Sequence, residues 1–163
     1  MYSNRAAQGI SECERALAIN RNLANAHGWI GMAKLLAGRN EETEGHVLEA
    51  LRISPRDTRA SGWTHFAGAA KLAAGRDEEA VAWLNRSIEL GRIWPTPHFW
   101  LAAALARLGR LKEASEQARA GLELDPGFTI ARLRSSAFSD DPVYLAGRER
   151  VYDGLRKAGV PEE

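Results

Sequence analysis

The four histidines, at positions 27, 46, 65 and 98, are the side chains of this chain best suited to metal or acid–base chemistry. A zinc site built on one helix needs two histidines four residues apart, because that spacing places both rings on the same side. No pair here has that spacing. We therefore expect packed or surface histidines, and the sequence predicts no metal site.

The other candidates for chemistry have structural explanations. Cys13 shares the apolar face of a predicted helix with Leu17, which favours a buried structural thiol. Asp140 and Asp141 precede Pro142, a pattern typical of a helix start, so capping is predicted instead of a metal-binding carboxylate pair. The glycines come singly and form no phosphate-binding loop. The sequence predicts no catalytic residue and no cofactor.

Three Gly-Arg pairs show how the chain is organised. They begin at Gly38, Gly75 and Gly109, which lie 37 and 34 residues apart, and the flanking sequence is similar at all three. A period near 34 residues indicates one unit copied in tandem. Within a unit we predict a helix closed by the glycine in left-handed conformation, and then a second helix. Asn40 is predicted to cap that second helix in the first unit.

The composition of the chain argues against some classes of binding partner. The 163 residues are 45% hydrophobic, and 22 basic against 21 acidic side chains give a net charge of +1. This balance argues against binding to a nucleic acid backbone, which needs clustered positive charge. No run approaches 18 apolar residues, and the N-terminus lacks a basic segment followed by an apolar one. We expect a cytoplasmic protein with neither membrane nor nucleic acid as a partner.

The repeat resembles the tetratricopeptide repeat (TPR), in which small and apolar residues stand at fixed offsets. The matching positions in the three copies are Ile30, Gly31, Gly38, Val47, Ala50 and Pro55, then Ala67, Gly68, Gly75, Ala80 and Leu84, then Leu101, Ala102, Leu105, Gly109, Ala114 and Pro126. The resemblance implies an all-α, right-handed superhelix of antiparallel helix pairs with a C-terminal capping helix.

We predict one domain over residues 1–163. It comprises a half repeat at 1–22 that holds only a second helix, full repeats at 24–57, 61–94 and 95–128, and a degenerate repeat with the capping helix at 129–160. The second full repeat is expected to begin its first helix near Thr58, and the capping helix to span about 142–158. The half repeat suggests a segment cut from a longer parent protein.

In the resembling family, ligands lie in a concave groove lined by the first helix of each unit. The corresponding candidate partner-binding residues are Asn25, Trp29, Met32, His65, Phe66, Ala69, Phe99, Trp100, Ala103 and Arg107. Some members grip a carboxylate with a charged clamp, but the clamp positions here are Gly28, Met32, Phe66, Thr96 and Trp100. We therefore expect a mostly apolar partner, either a peptide or helix in the groove or part of the same parent chain. The alternative for Trp29, Phe66 and Trp100 is that they fill space between units.

The favoured function is a non-catalytic protein-interaction scaffold. The tail at 148–162 (RERVYDGLRKAGVPE) resembles the C-termini of repeat regions attached to bacterial class III adenylate or guanylate cyclases. That resemblance implies a regulatory region of a bacterial signalling protein, with any cyclase chemistry in a separate domain. A homo-oligomerisation module, such as a homodimer, is the alternative function. An RNA-binding helical repeat is a further one, although the groove offers neither matched polar side chains nor a basic track.

Overall fold

The chain is built from antiparallel helix pairs. The computed structural model describes residues 2–91 and 93–163, and these form nine α-helices and no strand. The helices are α1 (Tyr2–Ile19), α2 (Ala24–Leu36), α3 (Asn40–Ile53), α4 (Ala60–Ala73), α5 (Asp77–Leu90), α6 (Thr96–Arg107), α7 (Leu111–Leu124), α8 (Ile130–Ser135) and α9 (Pro142–Lys157). Within the described ranges, no helix combines the length and the apolar character needed to cross a membrane.

The predicted glycine turns are confirmed. Gly38, Gly75 and Gly109 have φ values of 68°, 79° and 76°, the left-handed region that disfavours side chains. At the first turn the Gly38 N–H donates to the carbonyl of Leu35 at 3.1 Å, and the next N–H donates to the carbonyl of Lys34 at 2.8 Å. This is the Schellman arrangement, and it repeats at the other two turns. It reverses the chain so that α3, α5 and α7 run back along α2, α4 and α6.

The arginine after each glycine donates to a glutamate in the first turn of the next helix, which stabilises the same turn. Arg110 donates to Glu113 at 2.6 and 2.8 Å, and the equivalent arginines of the first two units pair with glutamates three residues later. The prediction that Asn40 caps α3 is wrong. Asn40 is already the first helical residue, and the preceding Arg39 makes no side-chain cap bond. The turn is too short to leave an extended residue for capping.

Glycines allow close approach within and between units. A Cβ on Gly68 of α4 would lie 2.6 Å from Leu84 of α5, and one on Gly121 of α7 would lie 2.8 Å from Phe99 of α6. Trp63 of α4 likewise fills the space beside a glycine of α2. Helix α4 begins at Ala60, after a turn at Thr58, so the predicted start is two residues too early.

Helix α1 packs on α2 at one end of the stack, where Ala6 and Ile10 meet Ile30 and Ala33. At the other end α8 is short and is capped by Thr129, whose hydroxyl accepts from the Arg132 N–H at 3.1 Å. Asp141 caps α9 as predicted, accepting at 2.9 Å from the Val143 N–H and at 3.0 Å from the Tyr144 N–H.

The chain end is tied to the start of α8. The N–H groups of Ile130 and Ala131 donate to the carbonyls of Pro161 and Glu162 at 3.0 and 2.9 Å. Helix α9 itself turns back along the stack, packing on α6 and α4 and not as a further unit behind α7. The capping helix therefore covers the inner side of the solenoid.

Candidate functional site

Helix α9 covers part of the concave face, defined here as the face lined by α2, α4 and α6. An added Cβ on Gly147 would lie 2.6 Å from the Cβ of Ala73 in α4, and one on Gly154 would lie 2.5 Å from the carbonyl oxygen of Ala103 in α6. These glycines are seven residues apart, so they share one face of α9. Their missing side chains let α9 lie directly on α4 and α6. We call this the covered half.

Ion pairs hold the edge of the covered half. Asp77 of α5 lies 3.3 Å from Arg107 of α6 and 3.4 Å from Arg150 of α9. Arg107 also lies 3.5 Å from Asp153 of α9, and the Nε of Arg150 donates to the carbonyl of Leu72 at 3.0 Å. One carboxylate thus links three helices.

The remainder of the concave face, which we call the open half, forms an apolar cavity of about 920 Å³. Helices α2, α4 and α6 provide its floor, α1 lies on one side, and α8 and α9 lie on the other. Seven aromatic side chains line it: Trp29, Phe66, Trp94, Trp100, Phe128, Phe138 and Tyr144. Trp29 and Phe138 are 47% and 67% exposed, which places them at the mouth. Small-ligand sites commonly have volumes of roughly 300–1,000 Å³ and similarly apolar walls.

Six of the ten sequence-predicted residues lie on the cavity wall. They are Trp29, Met32, His65, Phe66, Ala69 and Trp100. All six come from α2, α4 and α6, so each of the three first helices contributes at least one predicted residue to the cavity wall.

The other four predicted residues lie elsewhere. Phe99 is fully buried and stacks on Phe128 with ring centroids 3.6 Å apart, because the helix turns its ring toward α7. Ala103 is fully buried beneath α9, and Arg107 is engaged in the ion pairs of the covered half. Asn25 is half-buried away from the cavity, and its Oδ1 has no hydrogen-bond partner among the described residues.

His65 is held among aromatic rings. Its ring centroid lies 4.8 Å from that of Trp94, 5.3 Å from Trp100 and 6.0 Å from Phe66. Its Nδ1 is buried without a hydrogen-bond partner in the described part of the chain. Burial lowers the pKa of His65 to about 3, so the ring is neutral near pH 7.

Arg148 of α9 is a buried cation on the same wall, with 5% of its surface exposed. Its Nε donates to the hydroxyl of Tyr152 at 2.8 Å, one terminal nitrogen donates to the hydroxyl of Tyr144 at 3.4 Å, and the other to the carbonyl of Leu133. Its guanidinium also lies over the rings of both tyrosines, at 5.4 and 5.9 Å from their centroids. All of these partners are neutral.

Sequence reasoning missed the walls that come from α1, α8 and α9. The signal for α9 was present, since Tyr144, Arg148, Val151 and Tyr152 recur at helical spacing on one face. An arginine within that apolar stripe indicates a buried charge. What faces the stripe is fixed only by the path of α9, which the spacing does not encode.

The thiol of Cys13 is less buried than the sequence predicts. Cys13 is half-buried and lines the cavity, and burial, followed by the charges of Glu12 and Glu14, raises its pKa. The thiol therefore stays protonated near neutral pH, which disfavours nucleophilic chemistry.

Two of the histidines meet between α2 and α3. Nδ1 of His27 lies 3.3 Å from Nδ1 of His46, and burial, then His27, lowers the pKa of His46. Among the residues described here, no group of three or more His, Cys, Asp or Glu side chains is placed to hold a metal ion.

Comparison with known proteins gives structural but not sequence relatives. No family model and no curated protein matches the chain. Among solved structures it is similar to MamA, with 18% identity and a TM-score of 0.67 over 91% of this chain and 84% of that one. It is also similar to YrrB, described as a TPR protein with an unusual peptide-binding site, with 24% identity and a TM-score of 0.63 over 95% and 77% of the two chains.

A third similar structure is the type III secretion chaperone SycD of Yersinia enterocolitica in complex with a peptide of the translocator YopD. The identity is 17% and the TM-score 0.60, over 83% of this chain and 91% of that chain. At these identities the likeness is one of fold. Together with the three glycine-closed helix pairs, it shows that this chain has the superhelical solenoid fold of tetratricopeptide repeat proteins.

Proposed function

We propose that the protein is a non-catalytic interaction scaffold that receives an apolar segment of a partner polypeptide at the open half of the concave face. The observation that carries this proposal is Trp29, which stands 47% exposed at the mouth of the apolar cavity. Tryptophan is among the residue types that most often anchor protein interfaces, especially at the rim of a pocket that partner side chains can fill.

The chemistry of the open half supports an apolar partner. The lining is dominated by aromatic and aliphatic side chains, and Arg132 at its edge is already paired with Asp125 at 3.2 Å. The charged clamp positions of the family carry apolar or small residues here, which leaves few groups to recognise a charged peptide.

Similar solved structures add support at the level of fold. YrrB is described as having a peptide-binding site, and SycD is seen with a bound peptide. The covered half limits the partner, because α9 already occupies the surface above Ala73 and Ala103. We infer that the partner contributes a short segment, and that a segment of the same parent chain is one candidate for it.

We also propose a setting, which rests on the tail at 148–162 alone. A regulatory position in a bacterial signalling protein, such as a nucleotide cyclase, would use the scaffold to hold a partner near a catalytic domain. Reading the gene upstream of Met1 tests this proposal. A cyclase domain there would support it, and an unrelated domain or none would count against it.

The scaffold function is tested with short peptides selected by display against the protein. Trp29→Ala should weaken the selected peptides by about 2 kcal/mol, or roughly thirtyfold in Kd, as expected for an interface anchor. Leu48→Ala is the matched control, since Leu48 is 49% exposed but lies on α3 outside the cavity. Equal losses for the two variants in fluorescence titrations would show that the peptides do not use the open half.

Homo-oligomerisation is the second candidate. Helix α1 lies at one end of the stack, and Ile19 near its C-terminus is 90% exposed. A dimer formed there should dissociate in the Ile19→Glu variant. Sedimentation showing a monomer for the unmodified protein at high concentration would remove this candidate.

A further inference from the structure

The cavity combines apolar walls with one buried positive charge, and this combination defines a ligand class. We infer that the open half binds an unbranched fatty acid, with its carboxylate on Arg148 and its hydrocarbon chain among the aromatic side chains of the wall. This inference is independent of polypeptide docking. Because both ligands would use the same cavity, they compete, and either can fail in experiment while the other holds.

Arg148 differs from the other arginines near the cavity in its charge pairing. The other arginines near the cavity each face a carboxylate: Arg132 faces Asp125, Arg134 faces Glu149 and Arg150 faces Asp77, at 3.2, 3.5 and 3.4 Å. Arg148 is the more deeply buried cation, yet no carboxylate lies within ion-pair distance among the described residues. A buried charge without a counter-charge is unfavourable, so an anionic ligand would stabilise it.

The guanidinium of Arg148 also has hydrogen-bonding capacity that its neighbours do not fill. A guanidinium carries five N–H groups, and those of Arg148 meet only Tyr152, Tyr144 and Leu133. One N–H on each terminal nitrogen is left without an acceptor among the described residues. Two such groups on neighbouring nitrogens suit the two oxygens of a carboxylate.

A histidine on the same wall has a ring nitrogen without a hydrogen-bond partner among the described residues. Nδ1 of His65 is buried and unpaired, and 6% of this residue is exposed. Its ring lies against Trp94 and Trp100, which line the same cavity. The cavity wall therefore carries a buried imidazole nitrogen without a partner in addition to the Arg148 guanidinium without a counter-charge.

An acyl chain and a buried peptide backbone differ in the hydrogen bonds that they require. Each peptide unit brings an N–H and a C=O that must be paired when water is excluded. Met32, Phe66 and Ala69 line the cavity together with Trp29 and Trp100, and the side chains of those three residues offer a peptide backbone no strong hydrogen-bonding group. A hydrocarbon chain makes no such demand, and its single carboxylate is served by Arg148.

The test begins with the unmodified protein after lipid removal. Tryptophan fluorescence and calorimetry are used to titrate octanoate, laurate and palmitate, with dodecanol as the uncharged analogue of laurate. A charge-assisted hydrogen bond corresponds to a preference of laurate over dodecanol of about tenfold to a hundredfold. Equal affinity for the two, or no saturable binding of any of the acids, would overturn the inference.

Variants then locate the site. Arg148→Gln should lose at least about tenfold in laurate affinity and bind dodecanol unchanged. Arg134→Gln is the matched control, because Arg134 lies over the ring of Tyr152 at 4.9 Å but does not line the cavity. Equal losses in the two variants would refute a specific role for Arg148.

A steric pair covers the case in which Arg148→Gln does not fold. A Cβ on Gly9 of α1 or on Gly45 of α3 would meet nothing within 4 Å, and Gly9 lines the cavity whereas Gly45 does not. Gly9→Phe should abolish laurate binding and Gly45→Phe should preserve it. Retained binding in Gly9→Phe would overturn the inference. So would a short apolar peptide that binds more tightly than laurate and loses its affinity on C-terminal amidation, since this would assign Arg148 to a chain terminus.

Discussion

The two halves of the concave face are made from the same three helices but satisfy their surfaces in different ways. The covered half is closed by α9, with Gly147 and Gly154 against backbone and Asp77 shared by two arginines. The open half keeps an apolar cavity with a guanidinium that faces no carboxylate among the described residues and an imidazole nitrogen that has no hydrogen-bond partner among them. The repeats alone form the groove, and the helix that follows them, α9, determines how much of the groove remains open to a ligand.

The largest expected effect is at Gly154, where a substitution should disrupt the packing of α9 on the covered half. Gly154→Ala places a Cβ 2.5 Å from the Ala103 carbonyl oxygen, and backbone there cannot yield cheaply. We expect a loss of about 3 kcal/mol in the free energy of unfolding, or release of α9, as for severe overpacking. Denaturant titration measures the first and amide hydrogen exchange in α9 the second. Gly45→Ala is the control, and equal stability of the two variants would contradict the tight contact.

The buried His65 of the open half should make the stability of the protein depend on pH. The pKa of His65 is about 3 when folded and near 6.5 when unfolded, so between these values the unfolded chain binds a proton that the folded one does not. Stability therefore falls as the pH is lowered through this window, by about 2 kcal/mol at pH 5. His65→Leu should flatten the slope of unfolding free energy between pH 6.5 and 5. Identical slopes in the two proteins would contradict the burial of a neutral ring.

The ion pairs of the covered half should contribute less. Asp77→Asn removes the charge shared by Arg107 and Arg150, and we expect a loss of about 1 kcal/mol that shrinks with added salt. Glu113→Gln removes one partner of an exposed pair with Arg110 and should cost less than Asp77→Asn, because solvent screens an exposed pair. Chemical denaturation at low and high salt compares them. A larger cost for Glu113→Gln would contradict the ranking.

The smallest expected effect is a gain. Gly9→Ala and Gly45→Ala each put a Cβ into open space on a helix, which should stabilise the protein by about 0.5–1 kcal/mol. Thermal unfolding measures both. If Gly9→Ala destabilises the protein while Gly45→Ala does not, the cavity beside α1 is narrower than the structure shows.

Local patterns predicted the repeats well, because each helix pair is closed within its own sequence. The Gly-Arg turns and the Asp141 cap needed no knowledge of distant residues. The rotation of α6 was harder. Phe99 and Trp100 are adjacent aromatics, and only packing against Phe128 shows that the first turns inward and the second lines the cavity. The course of α9 was not predictable, because Gly147 and Gly154 acquire meaning only against Ala73 and Ala103.

The length of α9 has a consequence for how many units this architecture can hold. Its 16 residues extend about 24 Å, and packed helices stand roughly 8–10 Å apart, so it reaches across two such steps. Its cap lies beside the first Gly-Arg turn, Arg150 beside the second, and Gly154 on α6. The length of α9 therefore matches a stack of three helix pairs. If a fourth helix pair were inserted, α9 would be too short to contact all four.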